Sequence, residues 1–153
     1  ASGDLLIVRT AGSEPLDDIT VVANNSISLT SNSIGTSGKN ISLRTTYGTV
    51  IATGSNTVNG SVRSDSGAIS LSSTTLNGAL QSSSGAITLI SSSVSSTLTS
   101  SGVNNLTNSS ISGAASISST LTASGTTFGS TLTTTGTTTL TGGSVAGVAQ
   151  INS

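Results

Sequence analysis

One five-residue pattern, apolar–any–small–any–apolar, returns six times at a nearly fixed interval, and that period constrains the fold more than any other feature. It reads Val58-Asn-Gly-Ser-Val62, Leu76-Asn-Gly-Ala-Leu80, Val94-Ser-Ser-Thr-Leu98, Ile111-Ser-Gly-Ala-Ala115, Phe128-Gly-Ser-Thr-Leu132 and Val145-Ala-Gly-Val-Ala149. The interval is constant except that it shortens by a single position after the third copy, and the middle residue is Gly or Ser every time. A second pattern keeps the same phase. Seven positions ahead of the motifs stand Ile51, Ile69, Ile87, Asn104, Leu121 and Thr138, and two positions later Thr53, Leu71, Leu89, Leu106, Ala123 and Leu140. Just before these runs the ladder Gly67, Gly85, Gly102, Ser119, Gly136. Self-similarity at such a period marks a repeat architecture.

Alternation at i and i+2 predicts short strands: Ile69 and Leu71 share one face with Ser70 on the other, and Val58, Gly60 and Val62 are expected to do the same. Recurrent Gly and abundant β-branched residues argue against helices. Short strands that return about every 17–18 residues, without helical spacers, predict an all-β parallel β-solenoid with one repeat per coil. Eight or nine coils stacked ~4.8 Å apart would give a rod on the order of 40 Å long. On this reading Val58, Val62, Ile69, Leu71, Leu76, Leu80, Ile87, Leu89, Val94, Leu98, Leu106, Ile111, Phe128, Leu132 and Leu140 form the core ladder. The small mid-motif residue is expected to let opposite walls of a thin interior meet, and the Gly ladder to supply positive φ at corners. An immunoglobulin-like β-sandwich is the alternative, since it also uses many short strands; it predicts no such fixed period.

Residues 26–153 are read as solenoid repeats with an insertion near 35–50, because the gap from Ile34 to Val58 is well over one repeat. Residues 1–25 are read as an N-terminal edge, capping or inter-subunit segment, with the apolar run Leu5-Leu6-Ile7-Val8 and a turn at Pro15, Asp17 and Asp18.

Composition narrows the function. The 153 residues include 62 Ser plus Thr but no His, Cys, Met or Trp. Thiol chemistry, Cys/His zinc sites, His acid–base catalysis and disulfides are therefore excluded. All nine charges lie between Asp4 and Asp65, the net charge is −1, and residues 66–153 carry none. Four basic residues give no electrostatic footprint for nucleic acid. No apolar run approaches the ~20 residues needed to span a bilayer.

Carbohydrate-cleaving sites need clustered carboxylates and usually aromatic platforms. Asp17 and Asp18 are adjacent and would face opposite ways on a strand, Asp65 stands alone among the repeats, and Tyr47 and Phe128 are the two aromatics. No enzyme and no cofactor is expected. Glu14, Asp17 and Asp18 supply too few oxygens for calcium, so no metal is expected.

A long neutral β segment favours association. The last coil, from Leu140 to Ser153, has neither charge nor Pro. Val145, Val148 and Ile151 are therefore candidates, with Leu5, Leu6, Ile7 and Val8, for head-to-tail self-association, a contact that propagates as a filament. The alternative function is an ice- or glycan-binding module using a Thr/Ser-rich face. For ice the register is unfavourable: Thr97 and Thr99 align with Ala114 and Ser116, then Thr131 and Thr133, then Val148 and Gln150.

Gly67-Ala-Ile-Ser-Leu71-Ser-Ser, Gly85-Ala-Ile-Thr-Leu89, Asn40-Ile-Ser-Leu43 and Asp18-Ile-Thr-Val21 resemble the repeats of filamentous-haemagglutinin-type (two-partner secretion) bacterial adhesins, over roughly residues 18–149. The resemblance implies a right-handed parallel β-helix on a secreted, extracellular protein: a fibre, biofilm-matrix or adhesin-shaft subunit. Its partners would be further copies of itself and host or cell-surface glycans.

Overall fold

The computed structural model describes residues 5–6, 19–36 and 38–152. It is a parallel β-solenoid of about seven coils, with no helix among the described residues. Every strand pairing is parallel and joins successive coils, which a sandwich of antiparallel sheets could not produce. Each coil visits three sheets in turn. In one coil the first face is Ile69–Ser72, the second Thr74–Leu76 and the third Leu80–Ser82.

Residues two apart on a strand point the same way, so the inward positions stack into ladders. On the first face Ile69, Ile87, Asn104, Leu121 and Thr138 pair in sequence, beside Leu71, Leu89, Leu106, Ala123 and Leu140. The second face carries Ile34, Val58, Leu76, Val94, Ile111, Phe128 and Val145. The third carries Leu43, Val62, Leu80, Leu98, Ala115, Leu132 and Ala149. These residues form one continuous core, buried until the last coil. Each large apolar side chain so buried stabilises by about 1.5–3 kcal/mol, and always against a neighbouring coil.

Several expectations need correction. Val58 and Val62 do not share a strand: the motif turns the corner between the second and third faces, with Gly60 at the bend. Its small residue serves coil-to-coil contact and not wall-to-wall contact, since a Cβ on Gly78 would lie 2.1 Å from the Gly60 carbonyl oxygen. The ladder of Gly67, Gly85, Gly102 and Gly136 marks the corner between the third face and the next first face, and these residues lack positive φ. They too are small because successive coils touch there, a Cβ on Gly67 falling 1.9 Å from the Gly48 carbonyl oxygen. A left-handed residue recurs at the remaining corner in every described coil: Ser31, Gly54, Ser73, Ser91, Asn108, Gly125 and Gly142 all have φ between 48° and 77°, whereas elsewhere positive φ occurs at Gly35, Gly38 and Gly60.

Val50 and Ala52, not Ile51 and Thr53, stack on Ile69 and Leu71. The Gly54-Ser55 corner holds one residue more than the later coils, which slides the register and leaves Ile51 outward. The inserted segment is shorter than expected. Ile41–Thr45 is a regular rung paired on both sides, and only the excursion through the Thr36–Lys39 bridge departs from the coil. The solenoid also begins ahead of residue 26, because Ile19–Ala23 pairs along its whole length with Ile41–Thr45. The later shortening of the repeat has a single location. The corner after the third face has four residues at 65–68 and 83–86 but three at 101–103, 118–120 and 135–137.

Candidate assembly interface and hydroxyl faces

Two columns of buried polar side chains hold the corners. At the first corner, the residue that follows the left-handed position folds its side chain back onto a carbonyl two residues earlier: Thr74 Oγ1 donates to Ser72 (3.0 Å), Ser92 Oγ to Ile90 (2.9 Å) and Ser109 Oγ to Thr107 (2.8 Å). The same oxygens accept from the coil before, Thr74 N–H donating to Ser92 Oγ at 3.1 Å and Ser92 N–H to Ser109 Oγ at 3.2 Å. On the third face the last inward residue does similar work, Ser64 Oγ and Ser82 Oγ donating to the carbonyls of Gly67 and Gly85 at 2.6 Å. Buried polar side chains are tolerable here because they find partners, mostly backbone carbonyls, or the Thr138 hydroxyl in the case of Thr134 (2.7 Å). Thr45 Oγ1 and Asn104 Oδ1 are the buried side-chain atoms without one among the described residues.

Outward positions also stack. The second face presents an unbroken hydroxyl column of Ser33, Thr57, Thr75, Ser93, Ser110, Thr127 and Ser144. The first face aligns Thr88, Asn105, Thr122 and Thr139. Between these faces lies an open groove of about 480 Å³, lined by Ser73, Thr75, Ser91, Ser93, Asn108 and Ser110 among others, all uncharged. The alignment of Thr97 and Thr99 on the third face is the one expected, interrupted by Ala114 and Val148. The columns on the other two faces become visible only once each strand has a register.

At the far end, the strands Thr138–Thr141, Ser144–Val145 and Ala149–Ile151 have no described strand beyond them. Leu140 is 42% and Ile151 47% exposed although both occupy inward positions. Val145 is half-buried against the core. Val148 is 62% exposed for a different reason, lying just before the strand in line with outward Thr131. Of the N-terminal candidates, Leu5 and Leu6 pair with Ile27 and Ser28 and extend the first face by one rung. Ile7 and Val8 lie outside the described residues, as do Glu14, Asp17 and Asp18.

Among the described residues no cluster of His, Cys, Asp or Glu could hold a metal, and no helix is long and apolar enough to cross a membrane. The ionic feature sits on the third face, where Asp65 accepts from Arg44 at 2.7 Å and from Arg63 at 2.8 Å. Hydrogen bonds from Arg44 and then Arg63 hold the Asp65 carboxyl below its ordinary range.

The fold and its surfaces define a class: a three-faced parallel β-solenoid with hydroxyl-rich sides and continuous apolar ladders inside. No family model matches the chain, and no curated protein or solved structure is significantly similar to it.

Proposed function

We propose that this chain is a non-enzymatic structural element of an extracellular bacterial fibre, biofilm matrix or adhesin shaft, assembling by head-to-tail stacking of coils. The stacking itself carries this reading: every described strand row pairs in parallel with the next, and residues 66–153 carry no charge to oppose a further row. The inward residues Leu140, Val145 and Ile151 of the last described rung keep the apolar ladders in register for another strand row. An unpaired strand row flanked by apolar positions recruits a further strand row. The first rung of a second copy, beginning with Leu5–Leu6 on one face and Ile19–Ala23 on another, offers the matching parallel edge. Secretion and membership among haemagglutinin-type adhesins rest on the repeat resemblance alone. The test is negative-stain microscopy of the purified chain with helical averaging. Filaments with cross-β spacing along the axis are expected, and Leu140→Lys with Ile151→Lys should abolish them while leaving far-UV dichroism unchanged. Dispersed short rods at high concentration would rule the assembly out.

The unbroken hydroxyl column of the second face and its bordering groove favour a second reading, an ice- or glycan-binding module. Thermal hysteresis, or retention on a glycan resin, by a strictly monomeric sample would support it over the fibre.

A further inference from the structure

Nearly all of the described surface is neutral. Apart from Lys39, its charges are Arg44, Arg63 and Asp65, all on adjacent coils of the third face. Arg44 and Arg63 are direct cross-strand partners, and Gln81 follows Arg63 in the same column. Like charges placed opposite each other destabilise a sheet, and exposed ion pairs return little stability. Asp65 offsets the repulsion between the arginines, but exposed pairs of this kind add little stability, so folding alone is a weak reason to gather these groups.

The geometry resembles a prepared anion site. Asp65 takes Arg44 through Nε (3.1 Å) and Nη2 (2.7 Å) on one oxygen, and Arg63 through Nε (2.8 Å) on the other. Both guanidinium groups are thereby fixed in orientation, with Arg44 Nη1 and both terminal nitrogens of Arg63 outside the pair. Two cations against one anion leave a local charge of +1. Guanidinium groups held this way suit the planar oxygens of a carboxylate or the oxygens of a sulfate.

A second, independent feature lies three positions beyond Arg44 on the same coil. Tyr47 is 75% exposed at the corner that leaves this face. The residue just before the corner Gly or Ser is Ser66, Ser84, Ser101, Ser118 and Thr135 in the later coils, so an aromatic occurs here alone. Its coil is tied to that of Asp65, since Asp65 N–H donates to the Thr45 carbonyl at 3.0 Å and Ser66 Oγ to the Thr46 carbonyl at 2.8 Å. The Tyr47 ring stands outside the hydrophobic core and offers a flat apolar platform with a polar tip.

We infer that Arg44, Arg63 and Tyr47 form a binding site for an acidic sugar unit of an anionic glycan, with Asp65 positioning the two guanidinium groups. The sugar's carboxylate or sulfate pairs with the arginines and its ring lies against Tyr47. The site deepens the expectation of glycan partners but lies away from the hydroxyl face, and it does not depend on filament formation.

The test is a titration followed by amide chemical shifts, at a concentration where sedimentation shows monomer, so that its failure leaves the assembly reading untouched. The probes are a heparin hexasaccharide, a galacturonate hexamer, neutral maltohexaose and inorganic sulfate. At least one anionic hexamer should bind, with shifts centred on Arg44, Tyr47, Arg63 and Gln81 and affinity falling as salt rises. Arg44→Gln with Arg63→Gln should weaken binding about tenfold or more, and Tyr47→Ser should weaken the hexamer but not inorganic sulfate. Unchanged dichroism shows the variants are folded. Binding by neither anionic hexamer, equal binding of maltohexaose, or wild-type affinity in the double-arginine variant would overturn the site. A Tyr47→Ser variant that binds the hexamers as wild type does would reduce it to a simple anion site and overturn the sugar assignment.

Discussion

Gly85→Ala is the sharpest test of why these coils carry glycine. The new Cβ would sit 1.9 Å from the Gly67 carbonyl oxygen, 2.4 Å from its carbon and 2.9 Å from Ala68 N. Contacts under 3.0 Å are essentially never seen, so the corners must part by about 1.1 Å in an interior already packed to contact. Next to them the Ile69 N–H donates to the Ala86 carbonyl at 2.8 Å. If the two coils separate as a unit, that bond stretches to about 3.9 Å and is lost. The bond from Ser82 Oγ to the Gly85 carbonyl, at 2.6 Å, is disturbed with it. One or two broken bonds near the core, plus overpacking between stacked backbones that cannot swing aside, cost about 2–4 kcal/mol. Equilibrium urea unfolding followed by far-UV dichroism should show a midpoint lowered accordingly, and exchange of the Ile69 amide should accelerate. By contrast, Gly142→Ala meets nothing within 4 Å and has only its φ of +63° to strain, a cost of about 1–2 kcal/mol. A loss below about 1 kcal/mol for Gly85→Ala, with Ile69 protection intact, would refute the close-stacking account.

Two further perturbations probe polar positions. Asn104 is wholly buried and donates through Nδ2 to Ser100 Oγ (3.0 Å) and the Gly102 carbonyl (2.6 Å); Asn104→Asp replaces that donor with a carboxylate facing a carbonyl. Burial raises such a group's pKa, so the variant should lose about 3 kcal/mol or more near neutral pH and recover part of it in acid, and a urea-midpoint difference independent of pH would contradict this. For Asp65 the sign is opposite. Its folded pKa lies below the ordinary value of 3.8, so its pairing supports the fold above that value and is lost as pH falls through the lower folded one. The midpoint difference between wild type and Asp65→Asn should therefore be small and constant down to about pH 4 and vanish in stronger acid.

What could be read from the sequence follows a physical line. Ile69-Ser-Leu71 and Ile87-Thr-Leu89 announce their strands because alternation is local and the stacked partner has the same residue type. The five-residue motif is equally visible, yet Val58 and Val62 lie on different faces. Spacing alone does not distinguish two residues on a straight strand from two on either side of a corner. Val50 replaces Ile51 in the ladder because one extra residue at Gly54-Ser55 is invisible until the strands are paired. The positive-φ corner has no glycine signature, since Ser and Asn fill four of its seven positions, and its mark is a side chain turned back on the chain. At the candidate interface Val145 and Ile151 are recognisable as apolar residues in an uncharged last coil. That Ile151 points along the inward ladder while Val148 points outward requires the register. Tyr47, Arg44 and Arg63 are far enough apart in sequence that nothing local joins all three to Asp65 on one surface.

The order of residue types is sufficient for the periodicity, and with it the solenoid: identical spacing of apolar, small and hydroxyl residues leaves parallel stacking as the arrangement that buries every ladder at once. It is sufficient also for the absence of thiol, imidazole and strongly basic chemistry, since those depend only on which side chains exist. The number of faces, the place of each corner and the reason for each glycine belong to the folded molecule, because a coil can shed one residue at 101–103 without changing its motif. So does the choice of which outward residues become neighbours. Adjacent coils stand one strand spacing apart in space but a whole coil or more apart along the chain. Arg44 and Arg63, or the seven hydroxyls of the second face, therefore form a surface only after the coils have stacked.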